Sequence, residues 1–202
     1  GIIDRGTVTV GGNLSATTDA NAGVITLNQM EVDGSFTLAP NGSGAVTIVN
    51  DAALTLAAST MGGTFSGTAT TGNITQSGAL AITGATTLVT SAEDATIALE
   101  TTTNAFTAAL TITTNDAGLT AANVTIDGGT TALIIAASTI DGNLTLTSGN
   151  SSGIIDRGTV TVGGNLSATT DDNAGVITLD TMAVDATTAL TTHSTGAAHI
   201  VH

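Results

Sequence analysis

The feature that most constrains this chain is a long internal repeat. The nineteen letters GIIDRGTVTVGGNLSATTD fill residues 1–19 and return without a change at 153–171. The resemblance then weakens but stays in register as far as 196–202, where GAAHIVH corresponds to an earlier GAVTIVN. The chain thus contains one long repeat, 1–152, and the start of the next, 153–202, and we expect the two to form a single continuous structure.

A shorter pattern recurs inside the long repeat. In VTVGGNLSA, VDGSFTLA, AITGATTLV and TIDGNLTLT an apolar residue precedes glycine, and apolar residues follow at alternate positions. From Gly12 to Gly34, and again from Gly142 to Gly164, the step is about 22 residues, which divides the long repeat into about seven units and the chain into about nine. Alternation with many β-branched residues indicates strands, and no stretch shows the 3.6-residue period of a helix.

Short strands joined by glycine corners at this step predict an all-β fold, a parallel β-solenoid of about nine coils of ~22 residues with no helices. One coil cannot bury its inner face alone, so the coils must stack and align like residues in inward ladders. The expected inward residues are Val8, Val10, Leu14, Val32, Phe36, Leu38, Ile140, Leu144 and Leu146. A β-sandwich is the alternative, but its core depends on aromatic packing. Three Phe and no Trp or Tyr in 202 residues therefore favour the solenoid.

Composition excludes several classes of function. Sixteen acids against two Arg give a formal charge of −14. Because Lys and Arg neutralise phosphates, we expect no nucleic-acid partner and no attraction to anionic membranes. No run reaches the roughly 18 apolar residues of a membrane span, so no membrane insertion is expected. The absence of cysteine from the sequence excludes disulfides, thiolate chemistry and zinc sites of the cysteine type.

Two phrases carry a family resemblance. ALAITGATTL and DGNLTLTSGN resemble the degenerate repeats of filamentous-haemagglutinin-like adhesins and related giant bacterial surface proteins, and the likeness extends over nearly the whole chain. The resemblance implies a secreted, extracellular fibre on the cell surface, used for adhesion or matrix contact. It assigns no functional residue.

The pattern runs to both ends of the sequence without a capping segment, and an uncapped coil exposes apolar surface and unpaired backbone groups. We therefore expect a structural or adhesive segment of a filament whose partners are copies of itself or flanking repeats, stacked head to tail. Surface glycans or other cells are the further contacts that such a fibre would make. The alternative is a passive stalk that carries a binding module encoded elsewhere in a larger protein.

The two arginines occupy the same place in the two copies, directly after an aspartate. Asp4 and Arg5 in the first copy correspond to Asp156 and Arg157 in the second. We predict that these repeat-equivalent charge pairs are structural. They are either a clamp to a neighbouring fibre or a local ion pair at a corner, which contributes little when exposed.

The remaining acids and the histidines predict no metal site and no cofactor. Acids in turn-like stretches that we interpret as solvated are Asp19, Glu93, Asp94, Asp116, Asp127, Asp171 and Asp172. The sequence lacks the nonapeptide of calcium-binding β-rolls and an EF-hand loop. The three histidines are His193, His199 and His202, and their counterparts in the first copy are Asn41, Thr47 and Asn50. Ordinary polar counterparts predict histidines that face outward rather than ligands.

Seven Asn-x-Ser/Thr sequons are also present. They begin at Asn13, Asn41, Asn73, Asn123, Asn143, Asn150 and Asn165. Either they accept glycans in a secreted protein or they are asparagines placed at turns. No nucleophile, phosphate-binding or metalloprotease motif occurs, and sugar hydrolysis would need aromatic platforms that the chain lacks, so we do not expect an enzyme.

Overall fold

The computed structural model describes residues 1–19, 21–117, 122–171 and 174–201. Among these residues the regular secondary structure is entirely β-strand, with no helix. The strands are β1 (Ile2–Ile3), β2 (Val8–Val10), β3 (Leu14–Thr17), β4 (Ile25–Val32), β5 (Ser35–Ala39), β6 (Val46–Asn50), β7 (Leu54–Leu56), β8 (Ser59–Met61), β9 (Phe65–Ala69), β10 (Ile74–Gln76), β11 (Leu80–Ile82), β12 (Thr86–Glu93), β13 (Ile97–Leu99), β14 (Ala105–Phe106), β15 (Leu110–Asn115), β16 (Val124–Asp127), β17 (Leu133–Ile140), β18 (Leu144–Ser148), β19 (Ile154–Val162), β20 (Leu166–Thr170), β21 (Ile177–Leu179), β22 (Met182–Val184), β23 (Thr188–Thr191) and β24 (Ala198–Ile200).

The strands form three sheets around one core. Sheet A has the order β1-β4-β6-β9-β12-β15-β17-β19-β21-β24, with β2 also beside β4 and β22 also beside β19. Sheet B has the order β23-β20-β18-β16-β13-β10-β7-β5-β3, and sheet C has the order β14-β11-β8. All pairs of these strands are parallel, and within the described ranges an isolated antiparallel bridge joins Ala105 and Gly129. The predicted parallel β-solenoid of about nine coils is confirmed.

Alternation along each strand builds the core. In β18, Leu144 and Leu146 are 0% and 1% exposed, while Thr145 between them faces outward. The inward apolar residues of all the coils form one continuous cluster. The three large aromatic side chains, Phe36, Phe65 and Phe106, all lie in it. The predicted inward residues are buried except in the first coil, where Val8 is 39% exposed and Val10 and Leu14 are only partly buried.

Corners are tight because successive coils stack directly on one another. At the corner of Gly12 and Gly34 a β-carbon on Gly34 would lie 2.5 Å from the carbonyl carbon of Gly12. The number of residues per coil there matches the predicted ~22. The coil from Val46 to its partner Phe65 is shorter, and the coil from Ile97 to its partner Val124 is longer. The corner glycines therefore permit close backbone approach, while the coil length varies along the stack.

A short third side changes its place along the solenoid. In β4 and β19 the C-terminal part of a long sheet A strand forms this third side. In the middle coils the third side is formed instead by the separate strands of sheet C, each of which follows a sheet B strand along the chain. Asn50 is the last residue of β6, and it lies where the third side is no longer continuous with a sheet A strand. Its side chain is fully buried, accepts the Val32 N–H at 2.9 Å and donates to the Val32 carbonyl at 3.0 Å. The amide thus replaces the backbone of a missing strand.

The residue that stacks above a given residue after one long repeat is not its sequence counterpart 152 positions later. In sheet A the paired residues run from Ile2 through Ile25, Val46, Phe65, Thr86, Leu110 and Ile135 to Asp156. In sheet B they run from Ser35 through Thr55, Thr75, Ala98, Thr125, Thr145 and Ser167 to Ala189. The sequence counterparts of Ile2 and Ser35 are Ile154 and Thr187. Both ladders therefore end two residues, about 6.6 Å, beyond the equivalent residue.

Candidate functional site

The repeated Asp-Arg pair lies at a bulge in sheet A. Pairing between β17 and β19 shifts register just after Arg157, and Gly158 has a φ of +139°, which favours glycine. Asp156 is 8% exposed and Arg157 is exposed, because neighbouring side chains on a strand point to opposite faces. In the described part of the chain, no ion pair is formed by Arg157 or by Arg5.

The Asp156 carboxylate binds the backbone of the next coil. Oδ1 accepts the Asp180 N–H at 2.8 Å, and Oδ2 accepts both the Thr181 N–H and the Thr181 hydroxyl at 2.7 Å. The neighbouring Gly158 carbonyl lies 2.8 Å from the same hydroxyl, whose single hydrogen is shared between the two acceptors. The carboxylate thus accepts hydrogen bonds from two backbone N–H groups, those of Asp180 and Thr181, that have no partner in a neighbouring strand. The aspartate is therefore a structural acceptor that joins two coils.

The same arrangement occurs at two further corners. Asp4 Oδ2 accepts the Gln29 N–H at 2.6 Å, and Gln76 Oε1 accepts the Thr101 N–H at 3.3 Å. Gln76 stands in ITQSGALAI at 74–82, which aligns with IIDRGTVTV at 154–162, so that Gln76 takes the place of Asp156. We call Asp4, Gln76 and Asp156 the corner acceptors.

Gln76 is a residue that the sequence analysis missed. Its amide and that of Asn104 form two reciprocal hydrogen bonds, both 2.9 Å long. Asn104 is 1% exposed and also accepts the Leu80 N–H and donates to the Asp127 carbonyl. The two amides thus connect successive coils through the interior. The only signal in the sequence is the alignment of Gln76 with the aspartates.

Asparagines at another corner account for most of the sequons. Asn13, Asn73, Asn123, Asn143 and Asn165 each accept, through Oδ1, a backbone N–H from the following coil at distances of 2.7–3.1 Å. An inward apolar residue and an outward Ser or Thr follow each of them, which produces the letters of a sequon. At these five positions the structure favours the second interpretation, an asparagine placed at a turn.

The acidic residues outside the corner acceptors are scattered over the corners. Asp19, Glu93, Asp94 and Asp171 are exposed, as predicted for solvated acids. The prediction is wrong for Asp116, which is 5% exposed because its corner packs against the next coil, where Asp141 accepts its backbone N–H. Asp172 lies outside the described residues.

Asp127 lies at a corner that changes the pKa of its carboxyl. Burial raises the pKa of its carboxyl, and the negative charge of Asp171 raises this pKa further. A hydrogen bond from the Gly129 N–H at 2.7 Å acts in the opposite direction. The corner therefore brings two like charges close together.

The histidines do not converge on a site. His193 and His199 are exposed, as predicted, and His202 lies outside the described residues. His199 Nε2 lies 3.4 Å from Asp180 Oδ1, and both side chains are more than half exposed. Among the described residues, no three His, Asp or Glu side chains come together as metal ligands. The same residues contain no helix long and apolar enough to cross a membrane.

Shallow clefts lie on the surface of the described residues, and the lining of two of them is defined. One, of about 170 Å³, lies beside the bulge in β4 and is lined by Thr7, Met30, Glu31 and Asp51 among others. The second, of about 380 Å³, lies on the outer face of sheet B. Most of the residues that line the two clefts are polar or acidic.

The chain belongs to a family of repeats described as repeats of unknown function (DUF5649). The family model matches residues 43–113 and 121–193, which together make up more than half of the chain. Neither the curated proteins nor the solved structures contain a match.

The two matched segments place equivalent strands on different sheets. VTIV at 46–49, in sheet A, aligns with VTID at 124–127, in sheet B. Ile74 in sheet B likewise aligns with Ile154 in sheet A. One family unit therefore does not complete a whole number of coils but ends half a coil further on. A unit whose first strand lies in sheet A is followed by a unit whose first strand lies in sheet B. This half-coil step accounts for the third side, which follows sheet B in one unit and sheet A in the other.

Proposed function

We propose that this chain is a structural and adhesive segment of a secreted fibre on the cell surface, in which coils of this design continue end to end. The observation that supports the proposal is the contrast between two copies of the same nineteen residues, 1–19 and 153–171. Val160 and Leu166, with coils on both sides, are each 1% exposed, whereas Val8 is 39% exposed and Leu14 is partly buried. A further coil on the outer side of β1, β2 and β3 would bury this surface, and burial of apolar area is the main stabilising contribution in such a stack.

The partner proposed for this edge is a second copy of the chain, stacked head to tail, or a flanking repeat of the same design. At the opposite edge Val184, Leu190 and Ile200 are only partly buried. Two unlike edges that fit one another give a heterologous contact that does not close, and such a contact propagates into a filament.

The sheet faces suit a surface that meets glycans or other cells. One outward row of sheet A consists of Thr26, Thr47, Ser66, Thr87 and Thr111. These hydroxyls form an uncharged stripe, while the acids of the same coils lie mainly at corners. A passive stalk is the second candidate, and the shallowness of both clefts favours it. The cell-surface location depends on the resemblance of the repeats to giant bacterial adhesins.

Assembly is tested by covering the first coil. We expect a chain with residues 131–152 fused directly before Gly1 to melt about 5–10 °C higher, since the added coil would bury the residues now exposed on the first one. The matched control carries Ile140→Asp and Leu144→Asp in the added segment only and should gain nothing. Sedimentation and electron microscopy of the unextended chain should show rods that lengthen with concentration. Monomers at high concentration, together with no gain in melting temperature, would contradict the proposal.

Adhesion is distinguished from a passive stalk by a change of charge on the sheet face. Thr47→Glu with Thr87→Glu places two carboxylates in the hydroxyl stripe, and we expect binding to glycan arrays or cells to fall because desolvated charges are costly. The control with Ser43→Glu adds charge at an exposed corner and should bind as before. A chain that binds neither glycans nor cells in any form supports the stalk.

A further inference from the structure

One exposed corner differs chemically from every other asparagine-bearing corner that the structure describes. Asn41 is followed by Gly42 in the turn between β5 and β6, and the Gly44 N–H donates to the Asn41 carbonyl at 3.2 Å. The Asn41 side chain is exposed and makes no hydrogen bond within the described part of the chain. Gly42 has a φ of +57°, and a β-carbon placed on it would meet no other atom within 4 Å.

Most other asparagines have their amide groups held. The described asparagines whose side chains form hydrogen bonds are Asn13, Asn50, Asn73, Asn104, Asn115, Asn123, Asn143, Asn150 and Asn165. A held amide cannot turn its Cγ toward the next backbone nitrogen without losing these bonds, and an unmade buried bond is costly. The corner asparagines are also followed by Leu, Ile or Val, which crowd that nitrogen.

Two further asparagines have side chains without hydrogen bonds in the described ranges, and each is hindered at the next residue. The nitrogen that follows Asn28 belongs to Gln29, which donates its hydrogen to Asp4 Oδ2 at 2.6 Å. The residue after Asn21 is Ala22, whose β-carbon stands beside the nitrogen and whose φ is +49°. Asn41 alone among the described asparagines combines a side chain without a partner with an unobstructed glycine nitrogen.

We propose that Asn41 is a site of spontaneous deamidation. The Gly42 nitrogen attacks Cγ of Asn41, the new C–N bond closes a five-membered succinimide, the Cγ–Nδ2 bond breaks, and ammonia leaves with the proton from the Gly42 nitrogen. Water then adds to one of the two ring carbonyls and opens the ring to aspartate or isoaspartate. The net change is loss of ammonia and gain of water, and no oxidant, reductant or enzyme takes part.

The product loosens the contact between the first two coils. The Asn41 N–H donates to the Thr18 hydroxyl at 2.8 Å, so the turn is attached to the loop of the preceding coil. Isoaspartate inserts one extra carbon into the backbone of this turn and displaces both bonded groups, and either product adds one negative charge to a chain of −14. The equivalent position in the second copy is His193-Ser194, so the modification marks one long repeat and not the next.

Incubation of the whole folded chain at mildly alkaline pH tests the proposal. Intact mass spectrometry should show a gain of about one dalton, and peptide mapping should place it at Asn41 at least about tenfold faster than at any other asparagine, because glycine lacks the β-carbon that obstructs attack. Ion exchange should resolve a more anionic species, and isoaspartate should appear with it.

The matched control is Asn41→Gln, which keeps the amide but disfavours the five-membered ring, and its mass should stay constant over the same period. Circular dichroism and melting of this variant establish that it remains folded. The proposal is overturned if another asparagine, Asn173 included, gains mass first, if the Asn41→Gln chain gains mass as fast as the parent, or if the parent gains none.

Discussion

The first and second copies of GIIDRGTVTVGGNLSATTD have the same residues but different neighbours. The copy at 1–19 has a coil on one side only, whereas the copy at 153–171 lies between two coils. In the first copy the letters IIDRGTVTV form two short strands, β1 and β2, separated by residues outside any strand. In the second they form β19, a continuous strand of nine residues. Strand length in this fold is therefore set by the stacking of coils as well as by the local sequence.

The corner acceptors show the same dependence on neighbours. Asp156 accepts three hydrogen bonds, but Asp4 accepts one, and its Oδ1 is buried without a partner in the described structure. The difference arises partly from the following coil, in which Gln29 has been replaced by Thr181, whose hydroxyl supplies the third bond. The same residue therefore makes different numbers of hydrogen bonds in the two copies.

Limited proteolysis should show the largest difference between the copies. Trypsin has two target bonds, Arg5-Gly6 and Arg157-Gly158, because the chain has no lysine. We expect the first bond to be cut at least about a hundredfold faster, since the edge coil opens locally, while the second bond lies inside β19, whose flanking residues pair with β17 on one side and with β21 and β22 on the other. Mass spectrometry of the fragments measures both rates. Equal rates would show that the coil around Arg157 is no more stable than the edge.

Truncation of one inward leucine in each copy should give the next largest difference. Leu166→Ala removes a side chain that is 1% exposed and should lower the free energy of unfolding by about 2–5 kcal/mol. Leu14→Ala, at the partly buried equivalent, should cost about half as much or less. Urea denaturation of the two variants measures the costs. Equal losses would indicate that the first coil is covered in solution, as in the proposed filament.

Loss of a corner acceptor should have a smaller effect. Asp156→Ala leaves two backbone N–H groups without their acceptor and should cost about 2–3 kcal/mol. Asp4→Ala removes one such bond and should cost about 1 kcal/mol. The Asp156→Asn variant, which keeps an acceptor oxygen, should recover part of the loss in thermal melts. A null result at both positions would remove the structural role assigned to these aspartates.

The sequence predicts the coil, but not how the coils are arranged on one another. Alternation around Leu144 and Leu146 and the step between corner glycines are sufficient for a parallel β-solenoid, because each constrains every coil in the same way. The half-coil step between family units and the two-residue displacement of the ladders are properties of pairing between coils. Asn50, whose buried amide bonds the Val32 backbone, appears in the sequence as an ordinary polar letter.

The candidate site was located by the sequence but not explained by it. The repeat draws attention to Asp4 and Asp156, yet their partners are backbone groups about one coil away that no motif specifies. Adjacent residues of a strand face opposite sides, so an inward Asp156 excludes an ion pair within the strand to Arg157. The displacement of the ladders also means that Arg157 does not lie directly above Arg5, so an array of such repeats would carry its arginines on a gradually turning path.

The smallest expected difference concerns the aspartates that end the two copies. Asp171 stands beside Asp127 and raises the pKa of that carboxyl, which burial has already raised, whereas Asp19 lies in the edge coil. A raised folded-state pKa contributes stability at strongly acidic pH that is lost as the pH rises through that pKa, so at neutral pH the charged pair is unfavourable. Asp171→Asn should therefore stabilise the chain at neutral pH by less than about 1 kcal/mol, because solvent screens these partly exposed groups, and should have no effect in strong acid. Asp19→Asn should change nothing at either pH. Urea titrations at the two pH values measure both variants, and an equal gain from the two substitutions would show that net charge, rather than the corner shared by Asp127 and Asp171, is responsible.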